Sequence, residues 1–221
     1  MVPSFDLREA VGTKYVEADA LLAQKKTWDV VRAVAAELRP GNTEAEAKKL
    51  LSQKQKMFGA EKIWHPPQIR FGRNTVKSFG KPSEPDVVLQ ENDLFFLDIG
   101  PVFFGYEGDA GETFVVGDDS ERTRIAHDSK LVFDKVKAIW QEEGLTGRAL
   151  YQRAEKIAQD LGWRLSLEGA SGHRIGDFPH AIHHRGKLKT FDVAPCPNRW
   201  ILEIHLMHPS GEYGAFFEDV L

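Results

Sequence analysis

Apolar residues recur at helical spacing along residues 14–38, where Leu21, Leu22, Val30, Val31 and Val34 sit among helix formers. Arg39-Pro40-Gly41-Asn42 stops that helix. Thr43 then fits an N-cap with Glu46 at the capping-box position, and a second helix runs to about Met57. After Gly59 the pattern turns to strand and loop. Residues 94–99 and 112–116 read as two strands joined by a Gly-containing hairpin. The order then begins again. Residues 120–143 predict a helix opened by Ser120, and Gly144-Leu145 breaks it. Thr146 caps a shorter helix ending at Gly162, strand and loop follow, and the strand RWILEIHLM leads through HPSGEYG into AFFEDVL. Each half reads long helix, Thr-capped short helix, strand material and final hairpin, which predicts a structural duplication. Any α/β chain alternates helices and strands, but here both halves also end in hairpins with acids at matching places.

Those acids are out of place. Asp98 in FFLDIG and Glu203 in WILEIHL lie mid-strand with apolar neighbours on both sides. A bare carboxylate in such a setting costs several kcal/mol unless something pairs with it. If Asp98 faces Asp109, the turn centres between Phe103 and Phe104; if Glu203 faces Glu218, it centres between Ser210 and Gly211. Opposed residues of an antiparallel pair have Cβ atoms about 4.5–5.5 Å apart. Carboxylates that close repel unless a proton or a cation lies between them. Two such pairs meeting across a duplication axis would put four carboxylates in one cavity, with one or two divalent metals as counter-charge. Solvated strand faces are the plain reading for Glu112, Glu212 and Asp219. His173, in SGHRIG, offers a nitrogen ligand, which favours manganese, iron, cobalt or zinc over calcium or magnesium alone.

The bulk properties narrow the classes. With 221 residues the chain makes one large domain or two small ones, and a net charge of −4 without a dense basic face argues against nucleic acid. The single Cys196 excludes an internal disulfide and fits a reducing cytosol. The start MVPSFDLREAVG carries acids and lacks an apolar core, unlike a signal peptide, and no run of about 18 apolar residues is present, so a cytoplasmic protein off the membrane is expected.

The order Asp98, Asp109, His173, Glu203, Glu218 resembles the five-ligand pattern of the pita-bread metallopeptidases, which include methionine aminopeptidase, Xaa-Pro aminopeptidase, prolidase and creatinase. LDIGPVFFGYEGDAGETFVVG is similar to their Asp-x-Gly, Gly-Tyr turn, Asp and Thr-Phe strand. SGHRIG resembles their Gly-His-Gly-Ile-Gly, and AFFEDVL their terminal Glu-Asp strand. The resemblance implies an α+β pita-bread fold: a pseudo-two-fold duplication of helix-helix-strand units around a curved antiparallel sheet. It makes residues 1–14 an N-terminal extension and 15–221 a single catalytic domain, with pseudo-repeats about 15–117 and 118–221. It implies two divalent ions held by Asp98, Asp109, His173, Glu203 and Glu218, with Asp109 and Glu218 bridging. His180 and His65 would contact substrate, and Glu203 would shuttle a proton for a hydroxide shared by the two metals. The implied substrate is a small peptide, or a small-molecule amide, cut near a free N-terminus; a homodimer follows by analogy only.

Some positions depart from the family. Arg174 follows His173 where glycine is common, Ile204-His205 follows Glu203, and the Glu203–Glu218 connection is short. With no room for the large N-terminal domain of prolidases, the expectation is a minimal Xaa-Pro-peptidase-like member. His205 and His208 flank the ligand strand and either line the pocket or are structural. Three alternatives remain open: a creatinase-like hydrolase of a non-peptide C–N bond, a silent pita-bread binding module, and a metal-free binder whose acids pair with Arg70, Arg73 or Arg174.

Overall fold

The computed structural model describes residues 6–180 and 182–221; the first five residues of the expected N-terminal extension lie outside them. Helix α1 (Glu17–Ala35) buries Ala23, Thr27, Val30, Val31 and Val34. Counting back in helical steps from Val34 gives Thr27 and Ala23, not Leu21 and Leu22. Those two leucines, assigned to the apolar stripe from sequence, are instead 39% and 42% exposed. Helix α2 (Glu44–Met57) starts at the expected capping box: Thr43 N–H donates to Glu46 Oε2 at 2.8 Å and Glu46 N–H to Thr43 Oγ1 at 3.2 Å. Helix α3 (Ser120–Glu143) is capped by Asp119 rather than opened by Ser120. The Asp119 carboxylate accepts the N–H groups of Glu121 and Arg122 at 3.0 and 2.9 Å, a charged acceptor at the positive end of the helix. Thr146 caps α4 (Gly147–Asp160). Among the described residues no helix is long and apolar enough to cross a membrane.

Among the described residues the strands are, in chain order, β1 (Lys62–Ile63), β2 (Gln68–Phe71), β3 (Asp93–Ile99), β4 (Pro101–Phe103), β5 (Tyr106–Glu107), β6 (Ala110–Val116), β7 (Arg164–Leu165), β8 (His173–Arg174), β9 (Trp200–Met207) and β10 (Gly214–Val220). The main sheet runs β2-β3-β6-β10-β9-β7, with β8 also on β9 and every pairing antiparallel. The last strand of each half therefore meets the other at the centre, and the strands before it fan outward in mirrored order.

Strand alternation assigns the two faces. Phe95, Leu97 and Ile99 of β3 join α1 and α2 in one core; Leu202, Ile204 and Leu206 of β9 and Phe217 of β10 join α3 and α4 in the other. The intervening residues, Phe96 and Asp98, Glu203 and His205, Phe216 and Glu218, face the opposite side. This is why the acids sit between apolar neighbours along the chain.

Glu203 is opposite Glu218, as the spacing predicts. Asp98 is not opposite Asp109: its partner is Gly111. The strand pair continues outward as β4 and β5, which form a small sheet with β1, and turns at Phe104-Gly105, both with positive φ (55° and 75°). Two left-handed residues make the tight two-residue turn that suits strand twist. The turn centre lies one residue later than expected, so Asp109 slips two positions from Asp98 and stays on the same face.

Residues 6–12 run along the second half of the chain. The buried Glu9 carboxylate accepts from Cys196 N–H at 2.6 Å and from the Trp200 indole at 2.7 Å, and Arg174 donates to the Ala10 carbonyl at 2.6 Å.

Candidate metal centre

The sheet's inner face gathers the predicted ligands in one row. Asp98 on β3, Glu218 on β10 and Glu203 on β9 lie side by side, with Gly111 between Asp98 and Glu218 in the ladder. A Cβ on Gly111 would come within 2.9 Å of Glu218 Oε1, so glycine there lets the carboxylate cross the row. Asp109, just before β6, and His173 on β8 close the group. His173 Nε2 lies 2.9 Å from Asp109 Oδ2 and 3.8 Å from Glu203 Oε1. His65, after β1, stands 3.4 Å from Asp109 Oδ1 without the geometry of a hydrogen bond.

All five expected ligands therefore converge, and Asp109 is shared between two histidines. One ligand atom each from His65, Asp98 and Asp109 also fall within 4.8 Å of one another, so His65 belongs to the ligand-capable cluster itself. The donor set fits a divalent cation. Asp109 Oδ1 and Glu218 Oε1 are buried and have no hydrogen-bond partner among the described residues, a state that a cation relieves. Oxygen-rich donors with imidazole suit manganese, iron, cobalt or zinc. The arginine alternative fails on geometry: Arg73 pairs with Glu84, Arg70 bonds to Ser83, Gln68 and the Lys81 carbonyl, and Arg174 reaches Ala10.

The centre floors a cavity of about 480 Å³ walled by Trp64, Phe79, His180 and His205. The sequence profile of metallopeptidase family M24 matches residues 21–221. The chain belongs to this family. It is 26% identical over 174 residues to the Xaa-Pro dipeptidase of Pyrococcus furiosus, covering 79% of this chain and 49% of that protein. It is 28% identical over 165 residues to the methionine aminopeptidase of Helicobacter pylori, covering 72% and 63%. The chain thus spans about half the length of the Xaa-Pro dipeptidases it matches. Its fold is that of the X-Pro aminopeptidase of Thermotoga maritima (TM-score 0.76, 21% identity, 97% of this chain and 60% of that one). It also matches the methionine aminopeptidase of the same organism (TM-score 0.74, 16% identity, 96% and 94%). The pita-bread architecture expected from the sequence is the one present.

Electrostatics in this M24 chain follow from crowding. Burial, reinforced by Asp109 and Glu203, pushes the Asp98 carboxyl up to about 7 despite His65 nearby. Burial likewise raises Glu203, and raises Glu218 strongly with Asp98 and Asp109 beside it. Asp109 goes the other way: burial opposes its charge, but His173 and His65 hold it well below the usual carboxylate range. In return Asp109 outweighs burial at the two imidazoles, lifting His65 to about 10 and His173 to about 9.

His180 lies with its ring centre 4.6 Å from that of His173, and its Nδ1 is 2.7 Å from Glu107 Oε2. Glu107 went unnoticed in the sequence. It is 3% exposed, and burial raises its pKa. The signal was its place two residues before Asp109, the strand period that puts both on one face. Of the two histidines flanking the ligand strand, His205 lines the cavity, whereas His208 stacks on Tyr213 at 4.5 Å, beside Trp163 and Glu121.

Proposed function

We propose that this chain is a metallopeptidase that cleaves the bond next to the free N-terminus of a small peptide, of the Xaa-Pro dipeptidase or aminopeptidase type, with two divalent ions held by Asp98, Asp109, His173, Glu203 and Glu218. The observation that carries this reading is the convergence of those five side chains on one sheet face with buried carboxylate oxygens left unpartnered. When bound, the ions supply Lewis acidity at the scissile carbonyl and lower the pKa of the attacking water. Asp109, which offers one oxygen towards His65 and the other towards His173, suits a bridging position. Glu203, whose carboxyl is raised by burial, suits taking and returning a proton. With both ring nitrogens protonated, His180 donates Nδ1–H to Glu107 and has Nε2–H to donate to the substrate's developing oxyanion, a contact of the kind worth about 3 kcal/mol. His65 stands ready on the opposite side of Asp109 as a second polar contact.

The test is a panel of Xaa-Pro dipeptides, Met-Ala-type dipeptides and tripeptides with manganese, cobalt or zinc added, run beside Asp109→Ala. The reading expects metal-dependent release of the first residue by the wild type. It expects metal content and turnover to collapse in the variant. Normal metal loading and turnover by Asp109→Ala would sink the bridging assignment, and no cleavage of any peptide with any metal would sink the peptidase.

A further inference from the structure

The Glu107–His180 pair is made by two short elements, neither of which fixes it alone. β5 is two residues long, lies at the edge of its small sheet and pairs only with β4 among the described residues. On its far side Asp109 is fixed by Gln24, which accepts the Asp109 N–H at 2.8 Å and donates to its carbonyl at 2.7 Å. On its near side Tyr106 follows directly on the exposed turn at Phe104-Gly105. β8 is also two residues long, with His173 opposite Ile201 and Arg174 opposite Trp200 on β9. Ile175 N–H still reaches the Arg199 carbonyl at 2.8 Å, and residues 176–180 then leave the sheet in a run of bends that ends at His180.

Residues 9–16 join these two elements from outside. On the second half of the chain, Arg174 is 1% exposed and donates to the Ala10 carbonyl at 2.6 Å, while Arg199 donates to the Glu9 carbonyl at 2.6 Å. The arginine that follows His173, where glycine is common in the family, therefore anchors this strap. Three residues before His180, Asp177 Oδ2 accepts the Gly12 N–H at 2.7 Å, a bond strengthened by the acceptor's charge. The same oxygen lies 3.0 Å from His183 Nε2, on the return arm of the loop. On the first half, the Tyr106 hydroxyl accepts the Val16 N–H at 2.8 Å and donates to the Lys14 carbonyl at 3.1 Å. The Tyr15 ring packs edge-on to Tyr106 at 5.7 Å. Strand alternation turns Tyr106 to the face opposite its neighbour Glu107.

These contacts close a ring. From His180 the path runs back to Asp177, across to Gly12, along the strap to Lys14, and through the Tyr106 hydroxyl to β5. One residue further is Glu107, and 2.7 Å from its carboxylate is His180 Nδ1 again. Neither Asp177 nor Tyr106 lines the cavity, so what they can act on is the separation of Glu107 and His180. We infer that Asp177 and Tyr106 are positioning residues: with residues 12–16 between them they form a splint that sets the distance from the His180 loop to β5 and so aims the His180 ring. This rests on the peptidase reading for its kinetic measurement, but not for its spectroscopic one.

The spectroscopic measurement reads the pair itself. A ring N–H that donates to a buried carboxylate is protected from exchange with water. In protein carrying isotope-labelled histidine, with excess zinc as a diamagnetic ion, the His180 Nδ1 proton is identified by nuclear magnetic resonance from its absence in His180→Gln. Tyr106→Phe and Asp177→Ala, each checked for folding by circular dichroism and for zinc content, should quicken its exchange roughly 3- to 10-fold, the effect of losing one ordinary hydrogen bond. Asp177→Asn keeps an acceptor for the Gly12 N–H and should stay within about twofold of wild type. A ring cut once is already open, so Tyr106→Phe combined with Asp177→Ala should stay within about twofold of either single variant, whereas two independent structural roles would multiply. Tyr106→Phe, which removes one atom from a partly exposed side chain, carries the test if Asp177→Ala does not fold.

The kinetic measurement uses whichever peptide the wild type cuts. Each single variant should lower kcat roughly 3- to 10-fold with KM within about twofold, and the double variant should lose no more. A ring proton indifferent to both single variants, or losses that multiply in the double variant, would overturn the splint. If the proton responds as expected and no peptide is cut with any metal, the splint stands and the peptidase reading falls. If peptides are cut and the proton is indifferent, the peptidase reading stands and the splint falls.

Discussion

Asp98→Asn should stabilise the protein once metal is removed. Asp98 ionises at about 7 instead of 3.8 because burial and the neighbouring acids disfavour its charge. The difference, 7 − 3.8, is about 3, which corresponds to about 4 kcal/mol at roughly 1.4 kcal/mol per pH unit. The sign follows from linkage. A carboxyl whose folded pKa is raised costs nothing below the unfolded value near 3.8. Its cost grows as pH rises from there and is complete above about 7. Asparagine has nearly the same shape and no charge, so it removes that cost. A buried amide left without full hydrogen bonding takes back on the order of 1 kcal/mol, leaving about 3 kcal/mol in favour of the variant at pH 8. For a chain of this size that is roughly 6–12 °C in melting temperature.

The assay is thermal unfolding of wild type and Asp98→Asn, in excess chelator and in manganese, at pH 5, 6.5 and 8. In chelator the variant should melt higher at pH 8, and its advantage should shrink to under about 2 kcal/mol at pH 5, where folded Asp98 is protonated. Subtracting wild type from variant cancels titrating groups that do not face Asp98, such as His205, whose pKa burial depresses to about 4. In manganese the order should invert, because the wild type gains binding energy that the variant has lost. A variant less stable than wild type in chelator at pH 8, or an advantage independent of pH, would refute the claim that this carboxylate is held at a cost to the fold.

Two other side chains give sharp expectations. Glu107→Ala should lower kcat roughly 10- to 100-fold with metal content unchanged, while Glu107→Gln, which keeps an acceptor for His180 Nδ1–H, should lose less; equal losses would rule out a ring-orienting role. Tyr151→Phe removes a buried hydroxyl that donates to the Glu203 carbonyl at 3.1 Å and accepts the Glu203 N–H at 3.3 Å. Stranding both groups should cost about 1–3 kcal/mol in urea unfolding and weaken metal binding, and a loss below about 0.5 kcal/mol would show that this bridge does not hold the ligand strand.

Much of the centre was legible in the sequence because strand period is forgiving. The turn after Phe103 was placed one residue early, since nothing in FFGY announces that Phe104 adopts φ 55°. That error shifts the pairing by two residues. A shift of two keeps every side chain on its face, whereas a shift of one would have turned Asp109 away from Asp98. The second hairpin, whose turn residues are Pro, Ser and Gly, was placed correctly, and Glu203 meets Glu218. What the sequence hid were contacts made by elements far apart in the chain. Glu107 finds His180 across 73 positions, and Tyr151 finds Glu203 across 52. The exposed Leu21 and Leu22 were misassigned for a different reason: a helix with small inward residues, Ala23 and Thr27, hides its true stripe beneath two louder ones.

The same period explains how charged and apolar groups share one face of the sheet. Strands β3, β10 and β9 each carry one acid on this face, and two residues away stands an aromatic ring: Phe96 beside Asp98, Phe216 beside Glu218, His205 beside Glu203. The residues between them point into the helical cores, so the strand period fixes the spacing of the two rows. Charge that costs stability is therefore confined to one row, where a cation can compensate it. The adjacent row is built of buried rings, and beside such an apolar wall the field of a cation would be screened least.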